Sequence, residues 1–366
     1  MYGGGGTAVQ RQSRQARKLH RWSSSGLLLA GISNAIGQSS LSAKRLGRRS
    51  RAPKKSHVPD EVFFQTKTEI AVDLVDRALR NGIRVAWWTF DELYGRDSKV
   101  LDGLEERHQR FVCEIPCNTR VWTTKPDIIP QDTGSCQGLP KQAPCEVRNL
   151  LKYSSKFYIQ TWQKYRIKDT HKGAEVWKIK HLTVWRQTHE RLPSKRQTLI
   201  VARNVRTGET KFFLANAVVG ENGVTLRGLL RVAFGRWAIE AELRVSKEEL
   251  GMDHFEVRGW RCIHRHYFVT GLSFLLCSRI RLSLDKTGKR ELTVEQVRRS
   301  INCWLQHRDL PPEIRDEKFQ QELAVQQYHQ QRNAQAARSH TKTRTEMYLK
   351  IGIDVDKIKS CVQTEN

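Results

Sequence analysis

Between Ile70 and Ile115 the spacing of apolar residues changes period repeatedly, and this alternation constrains the fold more than any other feature of the chain. Ile70, Leu74, Val75, Ala78 and Leu79 fall on one helical stripe, which Asn81-Gly82 closes. The next run, Ile83 to Phe90, is rich in β-branched and aromatic residues and predicts a buried strand. It delivers Asp91 at or just past its C-terminal end. Val100, Leu101 and Leu104 then place a short helix over 99–107, and Arg110 to Ile115 reads as a second strand ending at Pro116. Helix, strand, helix, strand predicts an α/β domain whose parallel sheet is covered by helices.

Beyond Pro116 the text changes. Residues 116–145 are rich in Pro and Gly and read as loop, and 145–165 as partly helical. Strand signals then dominate, over 174–188, 197–203 and 210–215, with Arg206-Thr207-Gly208-Glu209 as the turn of a hairpin between the last two. Helical text resumes at Thr225. Trp260 to Leu284 reads as a long apolar helix through Phe268, Leu272, Leu275, Leu276 and Ile280, long enough to back a whole sheet. Thr293 to Leu305 reads as an amphipathic helix, and from Pro311 the text is polar and Gln-rich, at best a solvated helix. The expected organisation is an α/β core over 58–310, interrupted by a mainly β insertion at about 116–220, with a polar tail over 311–366.

Residues 1–57 stand apart. The first acidic residue of the chain is Asp60, and residues 1–59 hold twelve Lys or Arg. Such a segment reads as a disordered basic arm. The abrupt change near His57 also fits out-of-frame translation joined to a coding segment. Gly3 to Gly6 lack the following GK[ST] of a phosphate loop. Over the whole chain the net charge is +26, which points to a polyanionic partner, nucleic acid before membrane. Eight cysteines show neither CxxC pairs nor zinc-ribbon spacing (Cys113 and Cys117, Cys136 and Cys145), so reduced thiols in a cytoplasmic protein are expected. No apolar run is expected to approach transmembrane length.

Two carboxylates carry the candidate chemistry. Asp91 ends a strand, where open α/β sheets place their ligands. Glu240 lies in RWAIEAELRVSKEELG, Arg236 to Gly251, which reads as one amphipathic helix. Arg236, Glu240, Arg244 and Lys247 share one face at spacings of four, four and three, while Ile239, Leu243 and Leu250 face a core. Paired carboxylates can hold Mg²⁺ or Mn²⁺, which prefer hard oxygen ligands, and a two-metal site would activate an attacking hydroxyl on a phosphodiester. Arg236, Arg244 and Lys247 could contact a DNA backbone. The residues alone also permit plainer readings: a solvated, salt-bridged helix face, and an Asp that caps the helix after its strand. His254, His264 and His266 read as packing or backbone-bonding residues, and Trp87, Trp88 and Trp260 as core.

The stretch RWAIEAELRVSKEELGMDHFEVRGWRCIHRH resembles the C-terminal catalytic signature of bacterial insertion-sequence transposases of the DDE type, which have an RNase H-like core with a β insertion before the last acid. In their Y-x2-R-x3-E-x6-K pattern, R, E and K fall on Arg236, Glu240 and Lys247. Ala233 stands at the Tyr position, with Phe234 adjacent and out of register. Trp88 to Asp97, WTFDELYGRD, resembles the segment carrying the second catalytic Asp and places that role on Asp91. The resemblance spans about 58–284. It implies metal ligation by Asp91 and Glu240 and Mg²⁺ or Mn²⁺ as cofactor. It also implies DNA contacts from Arg236, Arg244 and Lys247, the terminal repeats of a mobile element as partner, a homodimer on DNA, and a nucleoid-associated location in the cytoplasm.

The family's first catalytic Asp lies on an earlier strand, in a context like V-x-D-D-T-G. No such motif occurs here, and Asp60, Asp73 and Asp76 lie before or on a helix. The expectation is therefore a transposase, truncated or frameshifted at its N-terminus, in which the absence of the first catalytic Asp works against activity. The alternatives are a non-catalytic DNA-binding remnant or a basic structural nucleic-acid protein.

Overall fold

The computed structural model describes residues 57–59, 62, 65–129, 138–285 and 292–361. The segment 1–56, Asp60 and Cys136 lie outside these residues, and so do the expectations placed on them. In chain order the described elements begin with α1 (Lys67–Arg80), β1 (Trp88–Phe90), α2 (Glu92–Gly95), α3 (Ser98–Glu106) and β2 (Phe111–Ile115). Short strands follow: β3 (Arg120–Trp122), β4 (Ile128–Ile129), β5 (Leu139–Pro140) and β6 (Cys145–Glu146). Next come α4 (Val147–Tyr153), α5 (Ser155–Tyr158), β7 (Gln163–Thr170), β8 (Gly173–Gln187), β9 (Pro193–Asn204) and β10 (Thr210–Ala215). The chain closes with α6 (Leu226–Gly235), α7 (Trp237–Leu250), α8 (Trp260–Asp285), α9 (Val294–His307), α10 (Pro312–Lys350) and β11 (Lys359–Ser360).

The chain divides into two compact units. One comprises residues up to Val85 with Trp237–Asn333; the other comprises Ala86–Arg236 with Ala334–Asn366.

The second unit holds the sheet. Its strands run β1-β2-β10-β9-β8-β3-β6, with β7 on β8 and β11 on β7. Among the described residues, parallel pairing is confined to β1 with β2 and β7 with β11. The expected parallel sheet is thus a mixed one. The cause is local: β9 turns straight back into β10 through Gly208, at φ +74°, and β10 pairs antiparallel with β2. The α/β alternation and the hairpin strands share one sheet.

Three residues form β1, not the eight expected, and they are half-buried. The strand pairs with β2 from Trp88↔Phe111 to Phe90↔Cys113, and its other edge has no partner among the described residues. One flanking strand cannot bury both sides of the run, so 83–87 stay outside the ladder.

One sheet face packs against α6, whose N-cap Thr225 accepts a hydrogen bond from the Gly228 amide. Leu226, Leu229, Leu230 and Ala233 of α6 enclose a core with Trp177, Ile179, Ile200, Ala202 and Phe213. Phe234 joins it, its ring 5.0 Å from Trp177 and 5.2 Å from Phe213. On the opposite face, near the start of β8, Ala174 and Val176 are covered by Tyr348, Ile353 and Val355. The Tyr348 hydroxyl accepts a hydrogen bond from the Val176 amide at 3.3 Å. The polar tail is therefore not wholly solvated: its last turns complete a core, and β11 extends the sheet.

The first unit is helical. Thr66 and Glu69 form a reciprocal capping box at the start of α1, and Thr293 with Gln296 forms another at α9. Cys277 of α8 packs with Val294 and Val297 of α9 and Val245 of α7. The buried line of α8 is Tyr267, Thr270, Phe274 and Cys277. The expected apolar stripe is out of phase with it, for Phe268, Leu272, Leu275 and Leu276 are exposed. The expectation about membrane spans also changes. Among the described residues, Trp260–Leu284 is long and apolar enough to cross a membrane by length and composition, at a mean hydropathy of 1.2. Arg261, Arg265, Arg279 and Arg281 interrupt it, and α7 and α9 pack on it.

Candidate active site

Asp91 follows β1 directly and caps α2. Its Oδ1 accepts hydrogen bonds from the amides of Leu93 at 3.1 Å and Tyr94 at 3.4 Å. The plainer reading of this Asp, a helix cap, is thus realised in the geometry. It leaves the second carboxylate oxygen uncommitted to that cap. Downstream, Tyr94 is buried with its ring 5.8 Å from Phe90, and Gly95 lies hard against β2. A Cβ on Gly95 would stand 2.0 Å from the Glu114 carbonyl oxygen, closer than any real contact. The Asp-x-x-Tyr-Gly spacing therefore has a physical cause. Asp starts the turn, Tyr anchors it, and Gly lets the turn sit on the neighbouring strand. Glu92, between them, pairs with Arg96 at 3.1 Å.

Glu240 lies on α7, in the other unit from Asp91. The helix runs Trp237–Leu250, one residue shorter at each end than the Arg236–Gly251 stretch, and Arg236 is the junction with α6. Gly251 stops it: at φ +67°, its amide bonds Lys247 O, and the Met252 amide bonds Ser246 O at 3.0 Å. Glu240, Arg244 and Lys247 are exposed, whereas Ile239, Leu243 and Leu250 are half-buried. Three of the four charged positions thus share an exposed face as the spacing indicates, while Arg236 is half-buried and precedes the helix.

Two further acids on α7 meet arginines. Glu249 accepts from Arg298 at 2.8 Å. Burial pushes the Glu242 carboxyl above its ordinary range, opposed by Arg281. The histidines bond backbone carbonyls, His264 to Trp260 O and His266 to Gly251 O, each at 2.8 Å.

A polar cluster that sequence reading missed lies inside the sheet-bearing unit. Arg186 of β8, 2% exposed, pairs with Asp102 of α3. Asp102 also accepts from the His189 amide at 3.0 Å and meets His189 Nδ1 at 2.6 Å. Burial raises the Asp102 pKa, but the Arg186 charge and the hydrogen bonds from Arg186 and His189 outweigh it and hold the carboxyl below 3.8. Next to it Glu105 bonds Gln197 and stays above 4.5, because burial outweighs the attraction of Arg186. Burial likewise pushes the Cys113 thiol up to about 12. The only signal for the cluster was Asp102 on the apolar side of a helix, beside Leu101.

Residues 38–173 match the family model described as DDE superfamily endonuclease. Over this stretch the chain is similar to DDE-type endonucleases. The match contains β1, Asp91 and the α2 turn and begins inside the basic segment set apart by composition. Arg236, Glu240, Arg244 and Lys247 lie beyond it. A search of curated proteins finds no match. The DDE family implies an RNase H-like core, DNA as substrate and, in general, divalent metal ions.

The described residues fit a divalent ion only as a partial ligand set. They contain no group of three or more His, Cys, Asp or Glu side chains placed to hold one. Asp91 offers a hard oxygen at a strand end, which suits Mg²⁺ or Mn²⁺ in kind, one carboxylate short of a site by itself.

Proposed function

We propose that this DDE endonuclease relative acts on DNA as an insertion-sequence transposase, cleaving and joining strands at the terminal repeats of a mobile element. The observation that carries the reading is Asp91 at the C-terminal end of β1, inside the matched segment and held by the Asp-Tyr-Gly turn. Asp91 and Glu240 are the acids assigned to metal and catalysis, and Arg236, Arg244 and Lys247 the bases assigned to DNA. A bound divalent ion would supply Lewis-acid activation of an attacking oxygen. The exposed Arg244 and Lys247 would hold phosphates, with a salt-sensitive affinity. The expected setting is a homodimer on DNA in the cytoplasm.

The test is nicking or strand transfer on terminal-repeat DNA with Mg²⁺ or Mn²⁺. Loss of activity in both Asp91→Asn and Glu240→Gln supports the assignment, and activity that persists in either removes that residue from it. A second reading draws on the missing V-x-D-D-T-G motif: a non-catalytic DNA-binding protein of the same descent. It expects DNA binding with a steep salt slope and no cleavage with any divalent ion.

A further inference from the structure

A row of cations crosses one face of the sheet, and no carboxylate among the described residues pairs with it. Lys164 of β7 stands directly opposite Lys178 of β8, Lys178 opposite Arg203 of β9, and Arg203 opposite Thr210 of β10. Directly opposed residues share a face, so Lys164, Lys178 and Arg203 form a line about 10 Å long at the spacing of neighbouring strands. Lys180, two residues along β8, lies on the same face. Like charges directly opposite one another destabilise a sheet. Here neither Lys164 nor Lys178 has an ion-pair partner among the described residues. Among the described residues Arg203 bonds the Thr210 hydroxyl, at 3.3 Å, and Lys180 the Phe157 carbonyl, at 2.6 Å.

Trp162 holds two of these cations in place, with Lys180 Nζ 5.1 Å and the Arg203 guanidinium carbon 5.3 Å from its ring. Burial and the nearby Arg203 charge lower the Lys180 pKa, the response of a crowded cation. The patch is bounded along β8. At Val176 the sheet is covered by Tyr348, and at Lys180 by α5 through Phe157. Four residues of antiparallel strand separate these covers, roughly 13 Å. Beside the second cover Tyr158 is 86% exposed and Ile159 80% exposed.

We infer that this face is a docking track for a single strand of DNA: its phosphodiester backbone lies along Lys164, Lys178 and Arg203, and a base stacks on Tyr158. The inference rests on the reading of DNA as substrate and adds a site to it. Charge complementarity selects the polyanion, since four unbalanced cations face a partner that carries one charge per nucleotide. Width selects the single strand, because the major groove of a duplex alone is about 12 Å wide and the whole molecule cannot lie flat between the covers. An exposed aromatic beside a basic groove is the arrangement that binds single strands without regard to sequence.

The experiment uses the full chain in EDTA, so that binding is read apart from cleavage, with a short single-stranded DNA oligonucleotide and its duplex as probes. Lys164→Ala/Lys178→Ala/Arg203→Ala is compared with Lys141→Ala/Lys172→Ala/Arg227→Ala, which removes three exposed cations elsewhere in the same unit. The slope of log K against log salt is expected to fall by about 2 for the single strand in the row variant, from three lost contacts at about 0.7 each. The control is expected to lose less than half of that. Tyr158→Ala is expected to weaken single-strand binding roughly tenfold with no change of slope, because stacking carries no charge. The row variant is also expected to melt no lower than the parent, since like-charge repulsion is removed. The oligonucleotide should raise the melting temperature of the parent but not of the row variant. Equal slope loss in the row variant and the control overturns the inference, as does loss confined to the duplex. Either result leaves Asp91 and Glu240 to be judged by nicking alone, whereas a parent chain that binds no DNA overturns both readings.

Discussion

Gly95 sits so close to Glu114 that a single added methyl would stand 2.0 Å from the Glu114 carbonyl oxygen. That contact seats the α2 turn on β2 and holds Asp91 at the end of β1. Gly95→Ala is therefore expected to displace the turn. A stability loss of about 1–3 kcal/mol, the usual cost of overpacking, should appear in urea denaturation. Nicking should fall with it, and a Gly95→Ala chain with unchanged stability and activity would show the turn to be free of this constraint.

Asp91 has a structural task as well as a proposed chemical one, and two substitutions separate them. Asn caps a helix about as well as Asp, whereas Ala at an N-cap costs roughly 0.5–2 kcal/mol. Asp91→Asn should leave the melting temperature near that of the parent while abolishing metal-dependent nicking. Asp91→Ala should lose both. If Asp91→Asn cuts DNA normally, Asp91 is a cap and nothing more.

Arg186 and Asp102 form a buried pair that ties β8 to α3. Removing one partner strands the other charge, so Arg186→Met is expected to cost about 3–5 kcal/mol. The same pair gives a signed pH dependence. Asp102 titrates below its ordinary 3.8, so the stability it contributes is present above that value and is lost as pH falls through its folded pKa. Urea midpoints measured downward from pH 5 should fall less steeply in Asp102→Asn than in the parent, from a lower starting stability.

Glu105 titrates in the opposite sense. Its folded pKa is raised above 4.5, so the folded state keeps the proton longer than the unfolded chain and loses relative stability as pH rises from 4.5 through the folded pKa. Glu105→Gln keeps an oxygen acceptor for Gln197 and removes the buried charge. Its urea midpoint should lie at or above that of the parent at neutral pH. A clear loss at pH 7 would mean that attraction to Arg186 outweighs burial.

Tyr348 is 1% exposed although it ends a helix that is mostly in water. Tyr348→Ala is expected to cost roughly 3–5 kcal/mol, the range for truncating a buried aromatic, and to release the segment that carries β11. Hydrogen exchange should show loss of protection at Lys359, Ser360 and Tyr165, which that pairing joins. Unchanged exchange there would show that β11 holds without it.

Local chemistry was legible without a structure wherever neighbours in sequence decide the outcome. The stripe of α1, the starts of α6 and α9 at Thr225 and Thr293, the hairpin at Gly208 and the place of Asp91 all follow from residues within a few positions of one another. Hydrophobic period and turn residues act over that range. What was misread depends on distant partners. The Ile83–Phe90 run reads as a long buried strand, but strand length is set by neighbours, and β1 has one. The α8 stripe contains enough apolar residues to fit two phases, and contact with α7 and α9 chooses the face through Cys277. The tail reads as solvent-exposed by composition, yet one tyrosine and a few aliphatic residues suffice to dock its end.

The same division holds for the candidate sites. Sequence by itself determined the α/β alternation, the charge, the position of Asp91 and the shared face of Glu240, Arg244 and Lys247, because each is a matter of spacing along the chain. Only the tertiary structure decided that Gly95 must be glycine, that Arg186 finds Asp102, and that Lys164, Lys178 and Arg203 stand in line. Strand register brings those three together from positions that no period in the sequence connects.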